Sequence, residues 1–316
     1  FGHHRKTTRV PERPCGEILF TTPEGKALKV SAEETDECLQ LGYRELVGGL
    51  LWPARNTGPA VQHAVSQLCR CMQNPSLKAW TCALQVLHWL HANKDEGITF
   101  RSDGNSTLRA FSDSGHYQSR TTGGLASGYK NTWGGCVHLF NGPILWMSKR
   151  HSHVGLSAPE DEYMALCHIA RQVVWLRHLL IEMGLEQHVS GPTIVESDNK
   201  QCCGWATEEM VTNGNRFIER DYHKVKEWVQ MGHIEPRHVP GVDNPADLFT
   251  KSVAAPTQRA LGPMLSGQVM LNPVSKPLNA LEKQEKKTGQ KMTKKTKRTK
   301  TETIERTACA CAHCND

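Results

Sequence analysis

The longest regular pattern of apolar and polar residues runs from Ser157 to Leu185 and predicts an amphipathic α-helix. Apolar residues recur at helical spacing along one face of this stretch, at Leu166, Ile169, Val173, Leu176, Leu180 and Met183. Ser157 is followed by Pro159 in the first turn and by Glu160 three residues on, which is typical of a helix N-terminus. We therefore expect the helix to begin at Ser157 and to pack its apolar stripe against a core.

Shorter alternating or apolar segments predict β-strands at residues 107–113, 133–140, 143–148, 192–198 and 234–239. The second and third are separated by Asn141-Gly142, a dipeptide that strongly favours a two-residue hairpin turn. Further helices are expected from about Lys200, over residues 217–231 and from Asn244. The order β-β-β-α-β-α-α-β-α predicts a mixed sheet with helices packed on its faces.

The part of the chain before this sheet has only helical patterns, at residues 43–52, 59–72 and 76–92. Scattered Pro, Gly and charged residues without periodicity precede them. We therefore divide the chain into an extended or disordered lead (1–35), a small helical segment (36–97), an α/β domain (98–254) and a tail (255–316).

Charge sets the tail apart from the rest of the chain. The formal net charge is +6, and residues 276–316 contain 11 Lys and Arg against 5 Asp and Glu, which accounts for all of it. Because this stretch has no apolar stripe, we expect a disordered basic tail that binds nucleic acid through phosphate contacts. A nuclear-import patch and a tail without a role are the alternatives. The terminal Cys309, Cys311, His313 and Cys314 are spaced too tightly for a usual zinc module.

The composition favours an intracellular protein, cytoplasmic or nuclear and not secreted. The 12 Cys are scattered through predicted helices and strands, which favours reduced thiols. No apolar run approaches the length of a membrane span, and the start lacks a signal-peptide core. The chain begins with Phe rather than Met, so we expect it to be a fragment of something longer.

Three acidic residues stand out against these patterns. Glu162 lies on the apolar stripe of the long helix, where a carboxylate needs a capping role, a hydrogen-bond partner or a metal ion. Asp113 and Asp198 each close a strand-like segment, and the ends of neighbouring parallel strands meet at one edge of a sheet. Three convergent carboxylates suit hard divalent cations. A capping role for Glu162 remains the alternative.

Six segments, in consistent order over about residues 40–252, carry a resemblance to a known family. They read YRELVGGLLWPARNTGPAVQHAVSQLCRCMQNPSLKAW, LHANKDEGITF, GPILWMSKR, LSAPEDEYMALCHIARQVVWLRHLLIEMGL, ESDNKQC and VPGVDNPADLFTK. In them the chain resembles the C-terminal part of the Pol polyprotein of copia-type LTR retrotransposons, which is the end of a reverse transcriptase followed by a ribonuclease H domain.

The resemblance implies a ribonuclease H-like mixed five-stranded sheet with flanking helices, and two-metal hydrolysis of the RNA strand of RNA–DNA hybrids. Carried over by motif, the catalytic and metal-binding residues are Asp113, Glu162, Asp198 and Asp247, with Mg²⁺ as cofactor and Mn²⁺ as the alternative ion. On the residues alone, Asp247 is equally well interpreted as an acidic residue in a first helical turn. His238 is interpreted as a half-exposed strand residue.

The chain also departs from the family. No Tyr-x-Asp-Asp polymerase motif occurs, so polymerase activity is not expected. Gly115 and His116 follow Asp113 where the family commonly has a second Asp and a Trp, and Phe217–His223 lacks a His and an Arg of the family run. The alternative function is therefore a catalytically decayed remnant that only binds nucleic acid. The implied partners are an RNA–DNA hybrid and the rest of a Pol polyprotein.

Overall fold

The computed structural model describes residues 28–101, 106–115, 130–152, 154–208 and 223–271, with the isolated residues 11, 19, 218 and 274. The chain divides into two compact units, Phe1–Pro273 and Val274–Asp316, and all elements below belong to the first. Most of the predicted lead, and the predicted tail beyond residue 274, lie outside the described residues. No helix in the described part is long and apolar enough to cross a membrane.

A mixed five-stranded sheet forms the centre of the fold, as the sequence predicted. Its strands are β1 (Arg109–Gly115), β2 (Thr132–Leu139), β3 (Gly142–Arg150), β4 (Thr193–Ser197) and β5 (Ile234–His238). The strand order is β3-β2-β1-β4-β5. Strand β2 is antiparallel to β1 and β3, whereas β1, β4 and β5 run parallel. This order and polarity are those of the expected ribonuclease H-like fold.

The long helix covers one face of the sheet. It runs from Ala158 to Glu182 and is α5 in chain order. Ser157 caps it by accepting from the Glu160 N–H at 3.4 Å, and the Glu160 carboxylate accepts from the Leu156 N–H at 2.9 Å. The expected stripe is buried from Leu166 to Leu180, but Met183 is 61% exposed. The prediction for Met183 was wrong because the helix ends one residue earlier.

The hairpin between β2 and β3 is shifted by one residue from its prediction. Its central residues are Phe140 and Asn141, with φ of 52° and 65°, and Gly142 already pairs with Leu139. Asn tolerates the left-handed region, which explains its place in the turn. Gly142 is needed for space instead, since a Cβ there would lie 2.7 Å from the Phe100 ring.

The second face of the sheet is covered by the segment that follows β5. It contains 3₁₀ turns at Gly241–Asp243 and Pro245–Phe249, then helix α8 (Ala255–Leu265). Phe111 and Cys136 of the sheet pack here against Phe249 and Leu261. The predicted helix from Asn244 is thus the single 3₁₀ turn Pro245–Phe249. The prediction of a disordered tail from residue 255 was wrong for α8, which buries three apolar side chains, whereas the excess basic charge begins only at residue 276.

Two glycines allow this segment to approach the sheet directly. A Cβ at Gly134 of β2 would overlap Phe249, and one at Gly115 of β1 would lie 2.7 Å from the Thr250 carbonyl oxygen. Contacts this short do not occur between real side chains, so both positions require the absence of a Cβ. They hold residues 245–250 against the ends of β1 and β2.

The helical segment consists of α1 (Ala32–Gln40), α2 (Tyr43–Asn56), α3 (Gln62–Cys69) and α4 (Leu77–Ala92). Helices α2, α3 and α4 share an apolar core, in which the Tyr43 hydroxyl donates to the Leu68 carbonyl at 2.9 Å. Helix α1 begins inside the predicted lead, because Ser31 caps it by accepting from the Glu34 N–H. The predicted helix 59–72 is a 3₁₀ turn at Pro59–Val61 followed by the shorter α3.

The remaining elements agree with the predicted order. Helix α6 (Lys200–Thr207) follows β4, and α7 (Lys224–Gln230) precedes β5. Of the predicted helix 217–231, residues 217 and 219–222 lie outside the described part of the chain. The helical segment contacts the sheet through Trp146 Nε1, which donates to the Ala54 carbonyl at 2.7 Å, and Ser66 Oγ, which donates to the Ser148 carbonyl at 3.1 Å.

A buried ion pair joins the two central parallel strands. Arg109 of β1 donates from Nε and Nη2 to Glu196 Oε2 of β4, at 2.7 and 2.6 Å. Their side chains are 7% and 0% exposed, and the guanidinium lies 4.9 Å from the centre of the Phe111 ring. Because both charges have left water, each depends on the other for compensation.

We predict that Arg109→Met lowers the free energy of unfolding by about 3–5 kcal/mol, because it leaves a buried carboxylate without its cation. The double variant Arg109→Met/Glu196→Leu should recover most of this loss. Urea unfolding measures both. The control Lys224→Met, which removes an exposed ion pair with Glu227, should cost less than about 1 kcal/mol. Equal costs for the buried and the exposed pair would contradict this account.

Candidate metal centre

Three elements bring Asp113, Glu162 and Asp198 to one edge of the sheet. Asp113 lies within β1, and Asp198 directly follows β4. These strands are parallel, with Phe111 opposite Glu196, so the two aspartates lie at the same end of neighbouring strands. Glu162 comes from the N-terminal part of α5, which packs on β1. The expected convergence of the three residues is therefore confirmed.

The three carboxylates are close enough to share a ligand. One carboxylate oxygen from each residue lies within 4.8 Å of the others. Asp113 is 1% exposed, Glu162 is 8% exposed, and Asp198 is half-buried. Three acidic side chains at this separation and burial repel one another whenever they are all ionised.

This repulsion appears in the pKa values. Burial raises the pKa of Glu162 well above its usual range, and the neighbouring Asp113 and Asp198 raise it further. Burial, and next Asp113, raise the pKa of Asp198. The Ser114 backbone N–H, which hydrogen-bonds the Glu162 carboxylate, opposes the shift of Glu162. Glu162 Oε2 has no hydrogen-bond partner among the residues that the structure describes.

The donor set fits a hard divalent cation. All three groups offer oxygen atoms, the ligands that Mg²⁺ and Mn²⁺ prefer, and neither His nor Cys belongs to the cluster. A cation would neutralise the repulsion and give Glu162 Oε2 a partner. The capping interpretation of Glu162 does not account for this oxygen, since Ser157 caps the helix.

Asp247, the fourth expected residue, lies beside the cluster rather than within it. It sits in the Pro245–Phe249 turn, and its Oδ1 pairs with Lys251 Nζ at 2.8 Å. Burial, and next Asp113, raise its pKa to about 7. The turn is capped by Asn244 Oδ1, which accepts from the Ala246 N–H, so Asp247 is also an acidic residue of a first turn. Its role as a metal ligand stays a prediction.

Sequence reasoning missed the residues that hold the cluster in place on the 3₁₀ side. The Thr250 hydroxyl donates to Asp113 Oδ2, and Asn244 Nδ2 donates to the Ser112 carbonyl at 3.1 Å. Lys251 Nζ lies 3.8 Å from Asp113 Oδ2. All three lie in the VPGVDNPADLFTK segment, but a short irregular segment has no periodicity from which such contacts could be inferred.

A second group of polar residues supports the cluster from β1 and α5. Ser114 Oγ lies 3.1 Å from His151 Nε2, and Asn131 Nδ2 donates to Asp161 Oδ2 at 2.6 Å. Ser114 and Asp161 flank Asp113 and Glu162 in sequence, so these bonds fix the backbone that carries two of the carboxylates. Adjacency in sequence was the only signal for them.

His238 is not a member of the carboxylate cluster. His238 ends β5, is half-buried as expected, and hydrogen-bonds the backbone of Asp198. Burial, and next the nearby Lys200, lower the pKa of His238. The terminal Cys309–Cys314 cluster lies outside the described residues.

Comparison with known proteins places the chain among transposon polyproteins. The retrovirus-related Pol polyprotein from transposon RE2 of Arabidopsis thaliana is 30% identical over 212 residues, which are 67% of this chain and 14% of that protein. The corresponding polyprotein from transposon TNT 1-94 of Nicotiana tabacum is 26% identical over 231 residues, 72% of this chain and 16% of that protein. The chain thus spans about one seventh of the length of these relatives. No family model matches it.

Among solved structures, the N-terminal RNase H domain of a Mycobacterium tuberculosis protein is similar, with 12% sequence identity and a TM-score of 0.32. The similarity covers 52% of this chain and 99% of that one. Because the transposon relatives match over about two thirds of its length, the chain belongs to the copia-type LTR retrotransposon Pol polyproteins and corresponds to the C-terminal part of such a polyprotein.

Proposed function

We propose that the chain is a ribonuclease H that hydrolyses the RNA strand of RNA–DNA hybrids, with Mg²⁺ held by Asp113, Glu162 and Asp198 and with Asp247 contributing beside them. The observation that carries the proposal is the convergence of three carboxylates within 4.8 Å, two of them almost completely buried. Such a set is unstable as three bare charges and is suited to divalent cations.

A pair of bound divalent cations would stabilise both the attacking and the leaving oxygen of phosphodiester hydrolysis. The chain's own residues supply the positioning. The Thr250 hydroxyl fixes one oxygen of Asp113, and the Ser114 N–H orients Glu162. Asp198 is the most exposed of the three. The 2′-hydroxyl is the group that distinguishes an RNA strand from DNA in such a site.

The helical segment fits the end of a reverse transcriptase. We assign residues 36–97 to that part and residues 98–254 to the ribonuclease H domain. The rest of a Pol polyprotein is then the expected protein partner. The segment contacts the sheet through Trp146 and Ser148 of β3. We propose that these contacts fix the position of the nuclease relative to preceding Pol domains.

The alternative, a decayed protein that binds nucleic acid without cleaving it, is not favoured by the site. Replacements relative to the family occur at Gly115 and His116 and within residues 217–223, yet the three carboxylates are present and converge. Cleavage of an RNA–DNA hybrid, measured with and without Mg²⁺, decides between the two.

Asp198→Asn should reduce Mg²⁺-dependent cleavage of an RNA–DNA hybrid by at least about 100-fold, because losing a metal ligand costs several kcal/mol of transition-state stabilisation. Binding of the hybrid and the fold should persist. Without metal, the thermal midpoint should rise, since neutralising one carboxylate relieves repulsion. The matched control Asp95→Asn removes an exposed carboxylate and should cleave at the parent rate. Parental cleavage by Asp198→Asn would exclude it as a ligand, and an inactive parent would favour the decayed protein.

In EDTA, the free energy of unfolding of the parent minus that of Asp247→Asn should show a negative slope as the pH rises from about 4 to 8, because the opposing contributions of the buried His138 and His168, whose pKa values are lowered, cancel in this difference. Asp247 has a folded pKa of about 7 against an ordinary value of 3.8, and those of Glu162 and Asp198 are also raised. Between the two values the folded state binds more protons than the unfolded state, so deprotonation disfavours folding. Saturating Mg²⁺ should reverse the slope because the ions bind the deprotonated carboxylates. A slope that Mg²⁺ leaves unchanged would argue against a metal centre.

Deleting residues 276–316, which carry 11 Lys and Arg, should flatten the salt dependence of hybrid affinity, because each phosphate contact releases counterions. The position of cleavage should not change, since the deleted residues include none of the four acidic candidates. Hybrid affinity measured over a range of KCl concentrations provides the test. An unchanged slope would show that the tail makes no phosphate contacts.

A further inference from the structure

Lys251 places a positive charge at the carboxylate cluster. Its Nζ lies 2.8 Å from Asp247 Oδ1 and 3.8 Å from Asp113 Oδ2. The lysine side chain is 47% exposed, whereas those of Asp113 and Asp247 are 2% and 14% exposed. One ammonium group therefore reaches two largely buried carboxylates from the solvent side of the site.

The contacts of Lys251 differ from those of an ordinary surface pair. Exposed ion pairs such as Lys94 with Asp95 have both partners in water, with side chains 61% and 88% exposed. Lys251 instead acts on a cluster of negative charge, and its field partly opposes the rise in the pKa values of Glu162 and Asp198 that burial causes. It is thus the compensating cation that those two carboxylates share with Asp247.

The backbone at Lys251 is fixed while its side chain can move. Thr250, the preceding residue, is held by its bond to Asp113 and by the close approach to Gly115. Asn244 ties the start of the same segment to the Ser112 carbonyl. Beyond Cα, the lysine has four rotatable bonds and a compact charge, so its ammonium group can change partners without movement of the main chain.

We propose that Lys251 is an exchangeable counter-ion of the metal centre: its ammonium pairs with Asp113 and Asp247 in the metal-free protein and contacts a substrate phosphate when divalent cations occupy those carboxylates. A cation and an ammonium group cannot share the same oxygens without repulsion. The phosphate is the anion that enters the site with the substrate, within reach of the displaced side chain. The phosphate contact rests on the proposed nuclease function, whereas the competition with metal does not.

The competition is tested on the full chain without nucleic acid, by calorimetric titration with Mn²⁺. Lys251→Met should bind Mn²⁺ about tenfold more tightly than the parent, because a positive charge a few ångströms from the ion has been removed. Lys251→Arg keeps the charge and should stay near the parent affinity. Lys94→Met is the matched control and should leave Mn²⁺ affinity unchanged. Parental Mn²⁺ affinity in Lys251→Met would overturn the proposal.

The phosphate contact is tested by hybrid cleavage at saturating Mg²⁺. Lys251→Met should lower kcat about 10- to 100-fold, the effect of losing one charge-assisted contact, and Lys251→Arg should recover part of it. Tighter Mn²⁺ binding with a parental kcat would overturn the exchange. If the parent does not cleave, the proposed function fails, and hybrid affinity in Mn²⁺ replaces kcat as the measurement. Weaker hybrid binding by Lys251→Met than by Lys94→Met then supports the inference, and equal binding overturns it.

Discussion

Mutual repulsion of carboxylates at the sheet edge is the constraint on which the rest of this structure depends. Asp113, Glu162 and Asp198 lie within 4.8 Å of one another, and burial deprives two of them of water. The fold fixes their positions because two of them lie on the hydrogen-bonded parallel strands β1 and β4 or directly after them, and the third lies on a helix packed on β1. Without a cation, the protein keeps this arrangement at the expense of raised pKa values.

The two faces of the sheet contribute different residues to the site. Helix α5 brings Glu162 on one face, and the segment after β5 brings Thr250 and Lys251 on the other. That segment can reach the site only because Gly115 and Gly134 leave room for it. The buried Arg109–Glu196 ion pair joins β1 to β4. It therefore stabilises, together with the backbone hydrogen bonds, the strand register that places Asp113 beside Asp198.

The sequence was most informative where an acidic residue interrupts or ends a regular apolar pattern. Glu162 on an apolar stripe, and aspartates at the ends of two alternating segments, were sufficient to predict the cluster. The hairpin was placed one residue late because Gly142 looked like a turn residue, whereas its lack of a side chain serves packing against Phe100. Helix α8 was missed because Pro and Gly interrupt its pattern. Lys251 and Thr250 could not be found, since their roles depend on contacts between distant parts of the chain.

The most direct test of a metal centre is a crystal of the full chain soaked in Mn²⁺ and measured at a wavelength where manganese scatters anomalously. The account predicts anomalous density in contact with the carboxylate oxygens of Asp113, Glu162 and Asp198, with Lys251 Nζ moved away from Asp113. Manganese bound elsewhere, or an unchanged Lys251–Asp113 contact with no density between the three carboxylates, would contradict it.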